Sequence, residues 1–461
     1  MKLTKLSLVA ALLIGSSAFA IENTKISGDA RLYYGTQDSD EKNAPNMFDE
    51  AASYTNFAAR LDLTTDLTTG VSAGVGMQVV TTLGVEHNMV DSVWSGAHTI
   101  EPSTGASFPD GVGGQQVDSA MWIDEAWLAG TAFDTTLKIG RQALDTPLAF
   151  TETWGVDKNT FEAAVLINQS IPGTTLIATY IGKSNGSADD RTSARESGKA
   201  DILNGGTGTN LNDIGATAAG YVAAEGEFST FGTDGTYAYG VVNNSWKPLT
   251  VQAWYYDMVK FAEAYWLQAD LNLAGLLVGA QYTNTELQNG ANIGYDPANV
   301  SAGERTVGDT GDTTAYSVMI GYEMEDVVTI KAAYSDVDED GITGVANTAT
   351  GGLATLGGQS KLYTEMWWNY GVVSASGAES MALSAEATVG PEIDLFAGYY
   401  FSENDKGATD TELTEVTLTA SKSFGPLDTS LALIFADSED NGVGGTDVKT
   451  TDIQVYLTYN F

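Results

Sequence analysis

The chain ends in Ile453-Gln454-Val455-Tyr456-Leu457-Thr458-Tyr459-Asn460-Phe461, a run in which apolar or aromatic side chains occupy every odd position. In an extended strand, alternate residues point to opposite faces, so this run has one apolar face and one face that can hydrogen-bond to water. A terminal aromatic residue on such a strand is typical of transmembrane β-barrels, whose lipid-facing band is bordered by aromatic girdles. Soluble β-sandwiches contain alternating strands as well, so the period alone leaves both architectures open.

The same two-residue period recurs from one end of the chain to the other, and we find no convincing long amphipathic helix. We predict eighteen strands, at about 24–35, 54–66, 71–81, 119–131, 134–142, 160–168, 174–182, 236–246, 249–258, 262–273, 275–284, 314–324, 327–336, 379–389, 392–402, 412–424, 428–437 and 450–461. The segment 361–370 could form a nineteenth strand. An odd number would place the two chain ends on opposite sides of a membrane, so we assign that segment to a loop.

The connections between the strands decide between the two architectures. Short turns lie near 68–70, 132–134, 171–173, 247–248, 274–275, 325–326, 390–391 and 425–426. Between them lie longer polar stretches at 36–53, 82–117, 184–235, 285–312, 337–378 and 438–449. Short periplasmic turns that alternate with long extracellular loops are the signature of outer-membrane barrels. We therefore predict an all-β chain that forms a transmembrane antiparallel β-barrel.

The N-terminus predicts export from the cytoplasm. Lys2 and Lys5 precede the apolar run 6–14, and small residues lead to Ala20. This arrangement is typical of a secretory signal peptide at 1–20, which leaves 21–461 as a single barrel domain. A transmembrane anchor is the alternative, but the apolar run is too short to cross a bilayer as a helix.

Composition excludes several classes of function. The chain has no cysteine, which rules out disulfides and thiol catalysis, and its formal net charge is −39. Such a chain repels nucleic acid, because nucleic-acid binding depends on lysine and arginine. Its two histidines, His87 and His98, lie in one predicted loop without a matching serine motif. We therefore do not predict an enzyme, since hydrolysis in a barrel would need a histidine base near a nucleophile.

The third predicted loop is the candidate for a narrowing of the barrel. The stretch 137–154 leaves a strand and carries apolar residues that a freely solvated loop would not need. We expect this loop to pack on the inner wall, because a barrel of this width leaves an open channel unless a loop narrows it. An ordinary lid over the barrel mouth is the alternative.

Charged residues can be assigned to the lumen by strand parity. Arg31, Arg60, Lys138 and Lys331 alternate with apolar neighbours, and a cation on the lipid face would cost about 2–4 kcal/mol near the midplane. Arg141 has the wrong parity, so we expect it at the rim or beyond a bulge, turned toward the constriction. Negative charge on the third loop would come from Asp145, Glu152 and Asp157. The two sets predict a transverse field in the pore; the alternative is that they only keep a wet wall hydrated.

Two acidic segments raise the question of calcium. Asp336, Asp338 and Asp340 have the spacing with which a calcium loop begins, and 437–442 is a looser version. Both lack the bidentate glutamate at the twelfth position, where Asn347 and Val448 stand. Calcium bridging is one interpretation, and solvated acidic turns are the other. The sequence indicates no other cofactor.

Three segments resemble a known family. LKIGRQALDTPLAF (137–150) and KNTFEAA (158–164) resemble the constriction region of OprD-like outer-membrane channels. They are still more similar, together with LYTEMWW (362–368), to the major outer-membrane porins of the campylobacter group. The resemblance implies an 18-stranded porin in the outer membrane of a Gram-negative bacterium, usually a homotrimer, with the third loop folded into the lumen.

The function that the resemblance implies is passive diffusion of ions and small hydrophilic solutes. The acidic composition adds an expected weak cation preference, and lipid and lipopolysaccharide are the expected membrane partners. OprD relatives often carry a dense arginine ladder for carboxylate substrates, which this chain lacks. A specific channel for small carboxylates, amino acids or peptides, or an adhesin or structural surface barrel, therefore stays an alternative.

Overall fold

The computed structural model describes residues 22–42, 44–81, 83, 92–93, 120–153, 155–185, 228–231, 234–288, 312–341, 343–349, 359–390, 392–404, 411–440 and 447–461. Within these residues, eighteen long strands form one sheet. They are β1 (Glu22–Ser39), β2 (Ser53–Thr68), β3 (Val71–Thr81), β4 (Ala120–Ala132), β5 (Thr135–Gln142), β6 (Phe161–Ile171), β7 (Thr174–Ser184), β8 (Thr236–Asn243), β9 (Leu249–Met258), β10 (Ala262–Leu273), β11 (Leu276–Leu287), β12 (Asp312–Met324), β13 (Val328–Val337), β14 (Ala378–Val389), β15 (Ile393–Asn404), β16 (Thr411–Phe424), β17 (Leu427–Asp440) and β18 (Val448–Asn460).

The wall is closed and antiparallel. Each strand pairs with its neighbours in the chain, and β18 returns to pair with β1 through a register that sets Tyr33 opposite Tyr456. Closure removes the free edges that an open sheet would present and satisfies the backbone of the wall from within. The predicted barrel of eighteen strands is confirmed.

Few other regular elements accompany the wall in the described residues. Ser92–Val93 pairs with the start of β2, and Ser229–Thr230 pairs with the end of β7. Two single 3-10 turns lie at Glu50–Ala52 and Val372–Ser374. The segment 361–370 has no strand and belongs to a loop, as expected. None of the described helices has the length and apolar character needed to cross a membrane.

The two ends of the barrel differ in their connections. At one end, two-residue turns such as Phe133-Asp134 and Ala274-Gly275 join adjacent strands, and all four of these residues have positive φ. Turns of this conformation match the right-handed twist of the strands that they join. The connections at the opposite end are mostly longer, and we call it the long-loop end.

The two faces of the wall also differ. Outward positions carry exposed apolar side chains, among them Leu128, Ile139, Leu267, Ile320 and Leu383. Inward positions near the long-loop end are buried and include Gln78, Trp266, Thr417 and Gln454. This burial shows that the lumen near the long-loop end is filled, because an empty barrel of this width would leave its inner wall exposed to water.

Candidate pore constriction

The third long connection folds into the barrel over its described residues, 143–153 and 155–160. Leu148, Ala149 and Phe150 are buried, and a bridge between Asp145 and Phe150 forms a tight bend that Thr146 closes by donating to the Ala149 carbonyl over 2.7 Å. The backbone N–H of Leu148 donates to the Tyr256 hydroxyl on β9 over 3.2 Å. Leu148 belongs to the same buried cluster as Trp266 on the inner wall. The described part of this loop is therefore a lining of the lumen and not a lid over the mouth.

A second connection, between β13 and β14, folds inward to meet it. The buried side chain of Asn347 accepts from the Phe150 N–H (3.1 Å), donates to the Phe150 carbonyl (2.8 Å) and donates to Glu152 (2.9 Å). Thr348 donates twice to the Leu148 carbonyl, from its backbone at 2.9 Å and its hydroxyl at 2.6 Å. These bonds tie the two loops into one body, although about two hundred residues separate the partners in sequence.

A wall carboxylate holds the tip of the second loop. Glu415, fully buried on β16, accepts from the backbone N–H groups of Trp367, Trp368 and Asn369 over 2.7–3.3 Å and from the Asn369 side chain over 2.8 Å. Trp367 consequently lies edge-on to Tyr456, with ring centroids 6.5 Å apart. The segment 362–368, whose only sequence signal was its resemblance, is thus part of the pore lining.

Arginines and carboxylates alternate on the inner face of β1 and β2. Arg31 Nε lies 2.8 Å from Asp29, and Arg60 Nε lies 2.9 Å from Asp62 and 3.7 Å from the second oxygen of Asp29. All four side chains are partly or largely buried at the wall. The row offers alternating charge to a passing solute rather than a bare cationic surface.

Sequence reasoning missed a second charged group beside this row. The register between β3 and β4 shifts at Asp124, which has no partner on β3 and forms a β-bulge. Because of this bulge, the side chains of Asp124 and the adjacent Glu125 both face the lumen. Lys158 of the third loop pairs with Glu125 and lies 3.9 Å from Asp124. The sequence signal was the acidic pair itself, because two adjacent charges inside an alternating strand cannot share one face without a bulge.

The three acidic residues predicted on the third loop have different environments. Asp145 is exposed and lies 2.6 Å from Lys361 of the second loop, whereas Glu152 is buried against Asn347. Asp157 is almost fully buried, and this burial raises its pKa well above the usual range of an aspartate. The acidic side chains therefore do not form one exposed row opposite the basic residues.

The other predicted pore residues also separate. Lys138 faces inward, with its Nζ 4.3 Å from the Trp127 ring centroid. Lys331 also faces inward but pairs with Glu386 over 3.2 Å, near the short turns and away from the two loops. The expectation that Arg141 turns toward the constriction is wrong. Arg141 shares the outward face of Ile139, because no bulge in β5 reverses its parity, and it pairs with Glu162 over 3.0 Å.

The acidic side chains of 336–340, the possible start of a calcium loop, also lie apart from one another. Asp336 lies on the outward face of β13 and accepts from the Tyr316 hydroxyl over 3.3 Å, whereas Asp338 accepts from the Asp340 backbone in a local turn. Across the described ranges, no three acidic or histidine side chains come together in a group that could hold a metal ion. Calcium binding there stays a prediction.

The sequence profile of the Campylobacter major outer membrane protein matches residues 1–296, well over half of the chain. The chain belongs to this family. A search of curated sequences found no match.

Solved structures of outer-membrane channels share the fold. OccAB1 of Acinetobacter baumannii superposes with a TM-score of 0.66 at 13% identity, covering 96% of this chain and 98% of that one. OccK8 (OprE) of Pseudomonas aeruginosa superposes with a TM-score of 0.63 at 15% identity, covering 96% of this chain and 99% of that one. OpdK of the same species, solved with vanillate, superposes with a TM-score of 0.62 at 12% identity, covering 95% of this chain and 99% of that one. At such low identity the likeness shows the fold alone.

Family and fold together make this protein an outer-membrane porin, a channel for small solutes and not an enzyme. Its location is the outer membrane of a Gram-negative bacterium. The predicted family, fold, function class and location are confirmed. The long-loop end is then the external end, and the short turns face the periplasm.

Proposed function

We propose that the channel passes ions and small hydrophilic solutes by passive diffusion, with a weak preference for cations. The observation that carries this proposal is the pairing of lumen cations. Near the two loops, Arg31, Arg60, Lys158 and Lys361 each have a carboxylate oxygen within 4.0 Å, whereas the inward Lys138 lies against the Trp127 ring. Paired cations neutralise the narrow region without creating an anion site, so the acidic surplus of the whole chain sets the sign of the preference.

The size of the preference depends on ionic strength. Surface carboxylates raise the local cation concentration at the mouths, and salt screens this effect as the Debye length falls from about 10 Å at 0.1 M to about 3 Å at 1 M. A fixed binding site inside the pore would depend on salt much less. We therefore expect a cation preference that is measurable at low salt and small at high salt.

The test is the reversal potential of single channels in planar bilayers under a potassium chloride gradient. The proposal expects a cation-selective potential near 0.1 M that declines toward zero near 1 M. An anion-selective potential at low salt, or a preference that does not change with salt, would contradict it. Absence of conductance in folded, inserted protein would contradict the channel itself and favour an adhesin.

We further propose that the porin works as a homotrimer in a leaflet that contains lipopolysaccharide, as its family resemblance implies. Chemical cross-linking of the folded protein in native membranes should then give a trimer band that disappears on heating. A monomer under these conditions would remove the trimer from the proposal and leave the channel untouched.

A further inference from the structure

On the outer wall, two cations lie around one carboxylate in a small cluster on β5, β6 and β7. Arg141 Nε lies 3.0 Å from one oxygen of Glu162, and Lys183 Nζ lies 3.8 Å from the other. The Arg141 guanidinium also donates to the Ile123 carbonyl over 2.9 Å and lies 4.0 Å from the centre of the Phe228 ring. We call Arg141, Glu162, Lys183 and Phe228 the Arg141–Lys183 patch. Two cations share one carboxylate in it, so the patch has a net positive charge.

The position of the patch is that of a lipid headgroup. Arg141 ends the outward row of β5, directly above the exposed side chains of Leu137 and Ile139. On β7, Lys183 lies above Tyr180, whose ring is 5.0 Å from that of Tyr237. Tyrosines of this kind mark the border between the hydrocarbon core and the headgroups. The cations therefore lie at the external surface of the bilayer, on its outer leaflet.

Between β9 and β17, outward carboxylates recur at the same level of the wall. Strand register sets outward carboxylates opposite each other in the pairs Asp257–Glu263, Glu263–Glu286, Glu286–Asp312, Asp336–Glu379, Glu379–Glu403, Glu403–Glu412 and Glu412–Glu439. Like charges opposite each other repel, and they also repel anionic headgroups. The Arg141–Lys183 patch lies on β5, β6 and β7, outside this acidic band, and offers an anion an attractive position.

We propose that the Arg141–Lys183 patch docks the phosphate of a phosphorylated glycolipid in the outer leaflet, which rests on the proposed lipopolysaccharide environment and names its contact site. The guanidinium and ammonium groups supply charge-assisted hydrogen bonds to phosphate oxygens. Glu162 orients both cations and leaves one positive charge unbalanced. The acyl chains of such a lipid would lie against the apolar outward side chains below the patch, among them Ile139 and Leu166.

The exposure of the patch fits a lipid better than a second protein subunit. About a third of the Arg141 side chain and half of the Lys183 side chain are exposed in the single chain (33% and 49%). The partner that matches a net cationic group directly above an apolar band is an amphiphile with an anionic head. A second copy of this chain would present mainly carboxylates at the same level, above a similar apolar band.

The test counts lipid A molecules that stay bound to the folded full-length porin in native mass spectrometry. Bisphosphorylated lipid A and its phosphate-free derivative are offered separately to the wild type, so that the first comparison needs no variant. We expect the phosphate-free lipid to bind at least about tenfold more weakly, because it cannot accept the charge-assisted hydrogen bonds of the two cations. The double variant R141Q/K183Q should lose bisphosphorylated lipid A to a similar degree, and E162Q should bind it more tightly.

K449Q is the matched control. Lys449 also lies on the outer wall at the external end, but it has a carboxylate partner of its own in Asp437. We expect its lipid binding to match the wild type. Equal binding of both lipids to the wild type, or unchanged binding in R141Q/K183Q, overturns the proposal. A loss of cross-linked oligomer in R141Q/K183Q without a loss of lipid overturns it in favour of a contact between protein subunits.

The proposal and the channel function fail independently of each other. Conductance is recorded for the same preparations in bilayers without the glycolipid, where it reports on the lumen. A non-conducting wild type would refute the channel proposal and leave the lipid count interpretable.

Discussion

At the scale of single residues, Lys158 is the one buried lysine or arginine among the described residues. Its side chain is only 9% exposed, it pairs with Glu125, and the neighbouring Asp124 is fully buried. Removal of one partner from a buried pair leaves an uncompensated charge, which typically costs about 3–5 kcal/mol. We expect Lys158→Gln to destabilise the folded barrel by that order and to make the channel more cation-selective. Urea unfolding in lipid vesicles and the reversal potential measure the two effects.

Lys331→Gln is the control for this change. Lys331 and Glu386 are both more than a third exposed. Water therefore screens their pair, and its loss should cost less than about 1 kcal/mol. If the two variants unfold at the same urea concentration, the Lys158 pair is not the buried anchor that the structure shows.

The paired arginines give a second prediction at this scale. Arg60→Gln removes the cation shared by Asp62 and Asp29, so the carboxylates of the β1–β2 row lose part of their compensation. The reversal potential should move toward cations at 0.1 M salt. Lys422→Gln, which changes a cation on the outer wall near the periplasmic turns, should leave it unchanged. An unchanged reversal potential in Arg60→Gln would show that this row does not line the conducting path.

At the scale of elements, Glu415 determines how firmly the tip of the second loop is held. A glutamine at this position keeps the size of the side chain but offers one acceptor oxygen where the carboxylate offers two to the N–H groups of 367–369. We expect Glu415→Gln to increase open-channel noise, because the Trp367–Trp368 tip gains freedom to move in the lumen. Glu412→Gln, on the same strand but facing outward, is the control and should show the noise of the wild type. Equal noise in the two variants would mean that the tip is held by other contacts.

Glu365 makes the same loop sensitive to pH. Burial raises the pKa of Glu365 to about 7, although Ser360 and the Gly371 N–H donate to its carboxylate. The folded pKa lies above the unfolded value, so protonation favours the folded loop, and this contribution is lost as pH rises through about 7. We expect channel noise to decrease from pH 8 to pH 5.5 in the wild type. Glu365→Gln should stay quiet across this range, and an unchanged pH dependence in that variant would assign it to another group.

The strands of the wall were predictable from the sequence, whereas the contacts of the pore lining were not. The alternation around Ile453–Phe461 and the short turns predicted every wall strand, because a two-residue period and turn chemistry are local properties. The hydrogen bonds between Asn347 and Phe150 and between Glu415 and Trp367 join residues far apart in sequence. No local sequence pattern encodes such contacts. Arg141 shows the opposite limit: strand parity placed it outward, and an assumed bulge was needed to move it into the pore.

At the scale of the whole molecule, Phe461 and Gly28 close the seam of the barrel. Each donates its N–H to the carbonyl of the other, over 2.8 and 2.9 Å. A Cβ at Gly28 would lie 2.7 Å from the Phe461 ring and 2.2 Å from the Arg60 carbonyl oxygen, so only glycine fits there. The first and last strands thus meet where the Phe461 ring packs on the backbone of Gly28. A closed barrel needs this pair of strands to form, because otherwise two strand edges stay unpaired in the membrane.

Assembly should therefore fail when the seam is damaged. Gly28→Ala introduces the clash, and deletion of Phe461 removes the ring and both hydrogen bonds, so both should lower the yield of folded, heat-modifiable barrel. Gly130→Ala is the matched control, because no atom lies within 4 Å of a Cβ added there and its outward position in β4 tolerates a methyl group. The fraction of protein that resists denaturation at low temperature in gel electrophoresis measures the outcome. A Gly28→Ala yield equal to that of Gly130→Ala would show that the barrel closes without this contact, since both substitutions cost the unfolded chain the same freedom and only one meets a clash in the folded wall.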